Sequence, residues 1–311
     1  MLGRVDGLPG PSVGQLPGTT GAHQPWGQHG YTARLVRLPG MDTSPPRVPV
    51  LLVHGIRTSA TMWRFQERRL RSAGHTVLAV DLPGHGTRLG EPFTVAAALA
   101  AIDEGVAALG GRVLLVGLSL GGYYAIEYAA RHPDRVLGLV ASSCCALPRD
   151  PLLSGYRLLA RGIRRLPDRG LWLHNAAVRR FLPPQGALDV LAGGVALDVM
   201  DAGLRATGTL RPLAALAAYP GPVWLINGGR DHFRLHEARF LAACQQGRLI
   251  VVPGATHLVS LVKPDAFSTH LEFVVVALTA TLGSGVHGGP GASGEPGSEL
   301  SKGPGTGNVG S

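Results

Sequence analysis

The run GLSLGG at residues 117–122 follows the apolar stretch Arg112, Val113, Leu114, Leu115, Val116 and precedes the helix-like stretch Tyr123 to Arg131. A serine caught between a strand and a helix needs small neighbours, because its own backbone is strained and the two elements pass close together. Gly117 and Gly121 supply that room, so the motif predicts a strand, a sharp turn carrying Ser119, and a helix. The turn lifts the hydroxyl clear of the sheet and leaves the next amide, that of Leu120, pointing where an oxyanion would form.

In a chain with 45 glycines a single G-x-S-x-G carries little weight, and the remaining motifs decide its meaning. A serine nucleophile needs a base, and the base needs an orienting acid. The apolar run Val223, Trp224, Leu225, Ile226 leads through Asn227, Gly228, Gly229, Arg230 to Asp231; Leu249, Ile250, Val251, Val252 leads through Pro253, Gly254, Ala255, Thr256 to His257. Both polar residues fall just past the expected carboxyl ends of strands, where open α/β sheets bind their ligands. Upstream, Val50 to Val53 runs into His54, Gly55, Ile56, and the Ile56 amide is the expected second oxyanion donor beside Leu120. His54 is read as ordering that turn, and Trp63 as packing. Asp150 and Asp81 compete with Asp231 for the acid's role. Asp81, which opens DLPGHG at 81–86, is better explained as a carboxylate that accepts backbone amides and fixes a glycine-rich turn.

These motifs, spread from about Tyr31 to Leu282, resemble the α/β-hydrolase superfamily, in particular its single-domain bacterial members with a helical lid. The resemblance implies a mostly parallel sheet flanked by helices, a Ser119–Asp231–His257 triad, and an acyl-enzyme route for carboxylic esters or related acyl compounds. It also leaves open a carbon–carbon bond hydrolase, or a receptor-like protein that keeps the triad.

The pattern between the motifs agrees. Strand-like runs are expected at about 32–38, 49–54, 76–81, 112–118, 135–142, 222–227 and 248–252, separated by helix-like stretches. From about 147 to 219 the chain is too long for a simple crossover and carries Leu, Arg and Ala at helical spacing, with breaks at Pro167, Pro183, Pro184, Gly193 and Gly194. We expect a helical lid there, whose apolar face roofs the pocket. A rival reading is an interfacial helix, since Arg157, Arg161, Arg164 and Arg165 alternate with Leu158, Leu159, Ile163 and Leu166. The domain is expected over 31–282, with disordered Gly/Pro-rich tails at 1–30 and 283–311.

Composition narrows the classes. The formal charge is +9 but is carried almost wholly by arginine, with Lys only at 263 and 302, and no basic stripe is interleaved with aromatics, so nucleic acid is not expected as a partner. Three cysteines, two of them adjacent at 144 and 145, form no disulfide framework and have no zinc-ligand spacing. They are expected to be buried thiols, with lining of the pocket as the other reading. No metal or cofactor is expected. The first residues carry Gly, Pro and His where a secretory leader would show a charged and then an apolar segment, and no run reaches about 18 uninterrupted apolar residues. The expected setting is cytoplasmic, and the expected partner a small or medium hydrophobic acyl compound.

Overall fold

The computed structural model describes residues 47–149 and 151–284. The strand-like run at 32–38, both expected tails apart from residues 283–284, and Asp150 lie outside the described residues. Six strands form one sheet: β1 (Val50–Val53), β2 (Val77–Val80), β3 (Val113–Leu118), β4 (Val136–Ser142), β5 (Pro222–Gly228) and β6 (Gln246–Val252). Their order is β2-β1-β3-β4-β5-β6 and every pairing is parallel. All carboxyl ends therefore lie along one edge, where the loops carrying the candidate residues converge.

The strands read as continuous apolar runs because the sheet has a core on each face, and successive side chains alternate between them. On one face Leu51, Val53, Leu115, Leu139, Ala141, Val223 and Leu225 pack with α2 (Val95–Ala108), α3 (Leu120–Arg131) and Phe240 of α9 (Glu237–Ala243). On the other face Val50, Leu52, Leu114, Val116, Val140, Trp224 and Ile226 meet Leu70 of α1 (Arg64–Ser72) and α11 (Pro264–Ser284). Trp63 is fully buried in this second core, its ring 6.0 Å from Phe267. Among the described residues α11 has the length and hydropathy of a membrane span over Pro264–Leu282. Its Phe267, Leu271, Val274, Val275 and Leu278 are instead buried against the sheet, and its Glu272 takes a two-pronged bond from Arg69 of α1, at 2.7 and 3.0 Å.

Between β4 and β5 the chain forms α4 (Pro151–Arg164), α5 (Leu171–Phe181), α6 (Pro184–Ala192), α7 (Val199–Thr207) and α8 (Pro212–Ala218). The breaks fall near the expected prolines and glycines: Pro167 separates α4 from α5, Pro183 precedes α6, and Gly193 ends it. The last of these helices serves the sheet. Leu216 of α8 is buried in the first core beside Tyr219, whose hydroxyl donates to the Val136 carbonyl at 2.9 Å. The insertion over the site is thus α4 to α7.

Candidate active site

Three carboxyl-edge loops supply the candidate residues. Ser119 sits between β3 and α3 with φ 55° and ψ −114°, a left-handed conformation that a side chain rarely adopts. Sterics set by the glycines hold it there. A Cβ on Gly117 would come 2.3 Å from the Gly121 carbonyl oxygen, and one on Gly121 would come 2.3 Å from that of Val53. Gly122, which the sequence reading passed over, would meet the Cys144 sulfur at 2.7 Å. Because the obstacle at Gly121 is backbone of the central sheet, Gly121→Ala should lower unfolding free energy by about 3 kcal/mol or more. Urea unfolding measures this, and a midpoint within error of the parent would contradict the steric account.

Asp231 and His257 reach the same place from β5 and β6. The two loops are laced together: the Gly229 amide donates to the Val252 carbonyl at 2.8 Å and the Arg230 amide to that of Ala255 at 2.8 Å. Gly228 permits the approach, since a Cβ there would lie 2.4 Å from the Thr256 carbonyl oxygen. His257 Nδ1 lies 3.0 Å from Asp231 Oδ1, and His257 Nε2 lies 2.9 Å from Ser119 Oγ. The carboxylate fixes the tautomer: Nδ1 carries the proton and donates to Asp231, leaving Nε2 to accept from the serine hydroxyl. Burial by itself would raise the Asp231 carboxyl. The bond from His257 and that from the Phe233 amide, at 2.9 Å, overcome it and hold the group below its ordinary range. Phe233 also lays its ring 4.6 Å from that of His257.

Ile56 and Leu120 line the same cavity as Ser119 and His257, and neither amide is paired with another described group. The Ile56 turn is anchored by two buried histidines in a reciprocal arrangement. His54, after β1, donates from Nδ1 to the Gly55 carbonyl at 2.8 Å and accepts the Leu82 amide on Nε2 at 3.0 Å. His85, after β2, donates from Nδ1 to the Pro83 carbonyl at 2.9 Å and accepts the Arg57 amide on Nε2 at 3.2 Å. Asp81 holds the same pair of loops by accepting the amides of Ala60 and Thr87, at 2.7 and 2.9 Å. It is thereby committed to the turn.

Each ring must stay neutral to accept an amide. Burial pushes His54 below the ordinary imidazole value, and burial with the neighbouring His54 pushes His85 down to about 3. An unfolded chain, with these groups near 6.5, therefore binds more protons below that pH, and stability falls as pH drops from there toward the folded values. For His85, whose folded value is about 3, one pH unit below 6.5 costs about 1.4 kcal/mol, and His54 adds to the loss in the same direction. Urea unfolding at pH 5.5 should show a loss of at least about 1.4 kcal/mol relative to pH 7.5 from this pair. Equal stability at the two pH values would show that the rings are not held neutral.

A cavity of about 400 Å³ opens over Ser119 and His257, within the range of small-molecule sites. Its floor is the strand-end loops; its walls and roof come from α4 to α7, through Tyr156, Ile163, Leu173, Ala177, Val178, Phe181, Leu182 and Val190 among others. Tyr156 of α4 meets Phe233 edge-on at 6.2 Å, which joins the roof to the loop of Asp231. Two α4 arginines face acids of the insertion: Arg161 lies 3.1 Å from Asp201 and Arg164 3.5 Å from Asp198. Cys144 and Cys145 are fully buried beneath the site and are not among the residues that line the cavity. Among the cavity residues that the sequence reading missed are Arg57, His174 and Phe233. Arg57 and Phe233 lie one and two places from motif residues, whereas nothing local distinguishes His174 in the helical insertion.

A parallel sheet that presents a hydroxyl on a strained strand-to-helix turn, under a helical insertion, defines a hydrolase built on an open α/β sheet. Over residues 50–269 the chain matches the Alpha/beta hydrolase family, and it belongs to that family. It is 32% identical over 242 residues to the pimeloyl-[acyl-carrier protein] methyl ester esterase of Edwardsiella ictaluri (strain 93-146), covering 71% of this chain and 91% of that protein. Among solved structures it resembles a thermophilic esterase from Thermogutta terrifontis (TM-score 0.62, 24% identity, 75% of this chain and 90% of that one). It also resembles a carboxylesterase structure from Nitrososphaera gargenis (TM-score 0.64, 19% identity, 76% and 93%). At these identities the two structures share the fold with it. The protein is a hydrolase of the carboxylesterase-like kind.

Proposed function

We propose that the protein hydrolyses carboxylic esters or related acyl compounds of small or medium size through an acyl-enzyme on Ser119. The observation that carries this reading is the continuous chain from Asp231 through His257 to Ser119 Oγ, with links of 3.0 and 2.9 Å, at the floor of an apolar cavity. His257 Nε2 takes the Ser119 proton as Oγ attacks the acyl carbon. The Ile56 and Leu120 amides receive the developing oxyanion. The imidazolium, steadied by Asp231, then returns the proton to the departing alkoxide, and water repeats the sequence to release the acid.

The named methyl ester esterase at 32% identity supports the ester class. The arginine–aspartate contacts within the insertion favour a roof over an interfacial helix, because Arg161 and Arg164 have carboxylate neighbours in α7 and just before it. The three cysteines are free thiols, in keeping with the reducing cytoplasm we assign to the protein. A fluorophosphonate probe tests the reading: labelling of the parent, absent in Ser119→Ala and His257→Ala, is the expected outcome. No labelling of the folded parent would reject it.

A further inference from the structure

The cavity wall contains a charge that the chemistry above does not use. Arg57 follows Ile56 directly, in a left-handed conformation with φ 63°. Its amide is tied to His85, while its side chain lines the cavity. Its Nε is buried with no hydrogen-bond partner; Tyr156 is the ionisable neighbour of the guanidinium, and no carboxylate among the described residues faces it. His174 of α5 lines the same cavity, and its Nε2 is likewise buried and unpartnered. Both side chains line the one cavity, and burial, with the Arg57 charge nearby, pushes His174 down to about 4. Around them the wall is apolar, with Ile163, Leu173 and Ala177.

A glycine would relax the left-handed turn at position 57; an arginine there instead brings a cation to a mainly apolar wall. A half-buried cation with an unpaired Nε and no facing carboxylate bears part of the cost of desolvation, and an entering anion offsets it. We propose that Arg57 and His174 form an anion-accepting subsite, and that the substrates are esters whose body carries an ionised carboxylate remote from the ester bond. The guanidinium fork suits a planar carboxylate, and His174 adds an N–H donor from the opposing helix. This inference rests on reading the cavity as the acyl site, and it deepens that reading by naming the substrate class.

Binding is measured by calorimetry on Ser119→Ala, so that turnover plays no part. The probes are monoethyl succinate and monoethyl adipate, each against its neutral counterpart of the same acyl length, ethyl butyrate and ethyl hexanoate. At one of the two lengths the carboxylate-bearing ester should bind at least tenfold more tightly. Adding Arg57→Met should bring the pair to within threefold, Arg57→Lys should restore part of the preference, and His174→Leu should reduce it. Neutral esters binding as tightly at both lengths, or a preference that survives Arg57→Met, would overturn the subsite. If Arg57→Met does not fold, His174→Leu decides: an unchanged preference overturns the subsite and a reduced one supports it. Fluorophosphonate labelling of the parent separates the two readings. A labelled parent without the preference rejects the subsite alone, whereas an unlabelled parent with it leaves a carboxylate-binding cavity and rejects the hydrolase.

Discussion

Ser119→Ala should lower kcat on any ester that the protein turns over by about a millionfold, with KM changed little. The expectation follows from the position of Oγ as the end of the hydrogen-bonded chain, 2.9 Å from His257 Nε2. In the proposed mechanism no covalent intermediate forms without that oxygen, and only the amides of Ile56 and Leu120 and the cavity remain to favour attack by water. In the proposed mechanism Ser119 and His257 act as a unit, so His257→Ala should cost a similar factor, and the double variant should cost little more than either single one. The substitution removes one cavity-facing atom at a backbone already left-handed, so the variant should fold, and its melting temperature provides the control. Steady-state kinetics on a chromogenic ester measures the effect. A folded Ser119→Ala variant with a hundredth or more of parental kcat would remove Ser119 from the nucleophile's role.

Asp231→Asn should lower kcat by about ten thousandfold. In the parent, Oδ1 accepts from both His257 Nδ1 and the Phe233 amide, so the imidazole is held with its proton on Nδ1. An asparagine can keep its oxygen there only by burying its amide nitrogen where Oδ2 now has no described partner. Turned the other way, it offers N–H to Nδ1, shifts the proton to Nε2, and leaves Ser119 without a base. Either orientation also removes the negative charge that steadies the imidazolium. The variant should retain its fold and slow, residual fluorophosphonate labelling. Asp150→Asn provides the comparison, since the sequence offered Asp150 as a rival acid. Near-parental turnover in Asp231→Asn together with its loss in Asp150→Asn would reassign the acid.

Much of the fold was legible because its signals are local. Six strand-like runs from 49–54 to 248–252 correspond to β1 to β6 within about two residues, since a parallel sheet covered on both faces leaves uninterrupted apolar segments in the sequence. The glycines around Ser119 could be read for the same reason: crowding at 117 and 121 is a property of the turn itself. Asp81 was likewise legible, because a carboxylate at the head of DLPGHG has backbone amides within reach along the chain. The side chains of Ser119, Asp231 and His257, spread over 138 residues of sequence, meet because their strands end on one edge; their order suggested a shared site, while only coordinates supply the distances.

What the sequence did not disclose depends on tertiary assembly. The exchange of amides between His54 and His85 joins loops 28 residues apart through ring tautomers that no spacing encodes. The proximity of Arg57 and His174 arises only when α5 folds back over the carboxyl edge. The role of α8 was hidden as well: its Ala- and Leu-rich sequence resembles that of the roof helices, and its packing against α3 separates it from them.

The left-handed backbone of Ser119 implies an opposition within a single residue. Any side chain at that position holds the turn in a conformation that glycine alone would adopt freely, so the most relaxed occupant is one with no hydroxyl. With Ser119 in the proposed nucleophile's role, selection for resistance to heat and selection for turnover pull residue 119 in opposite directions, and the serine marks how far the fold yields to the reaction. Descendants that abandoned catalysis would be free to become more robust at this very position.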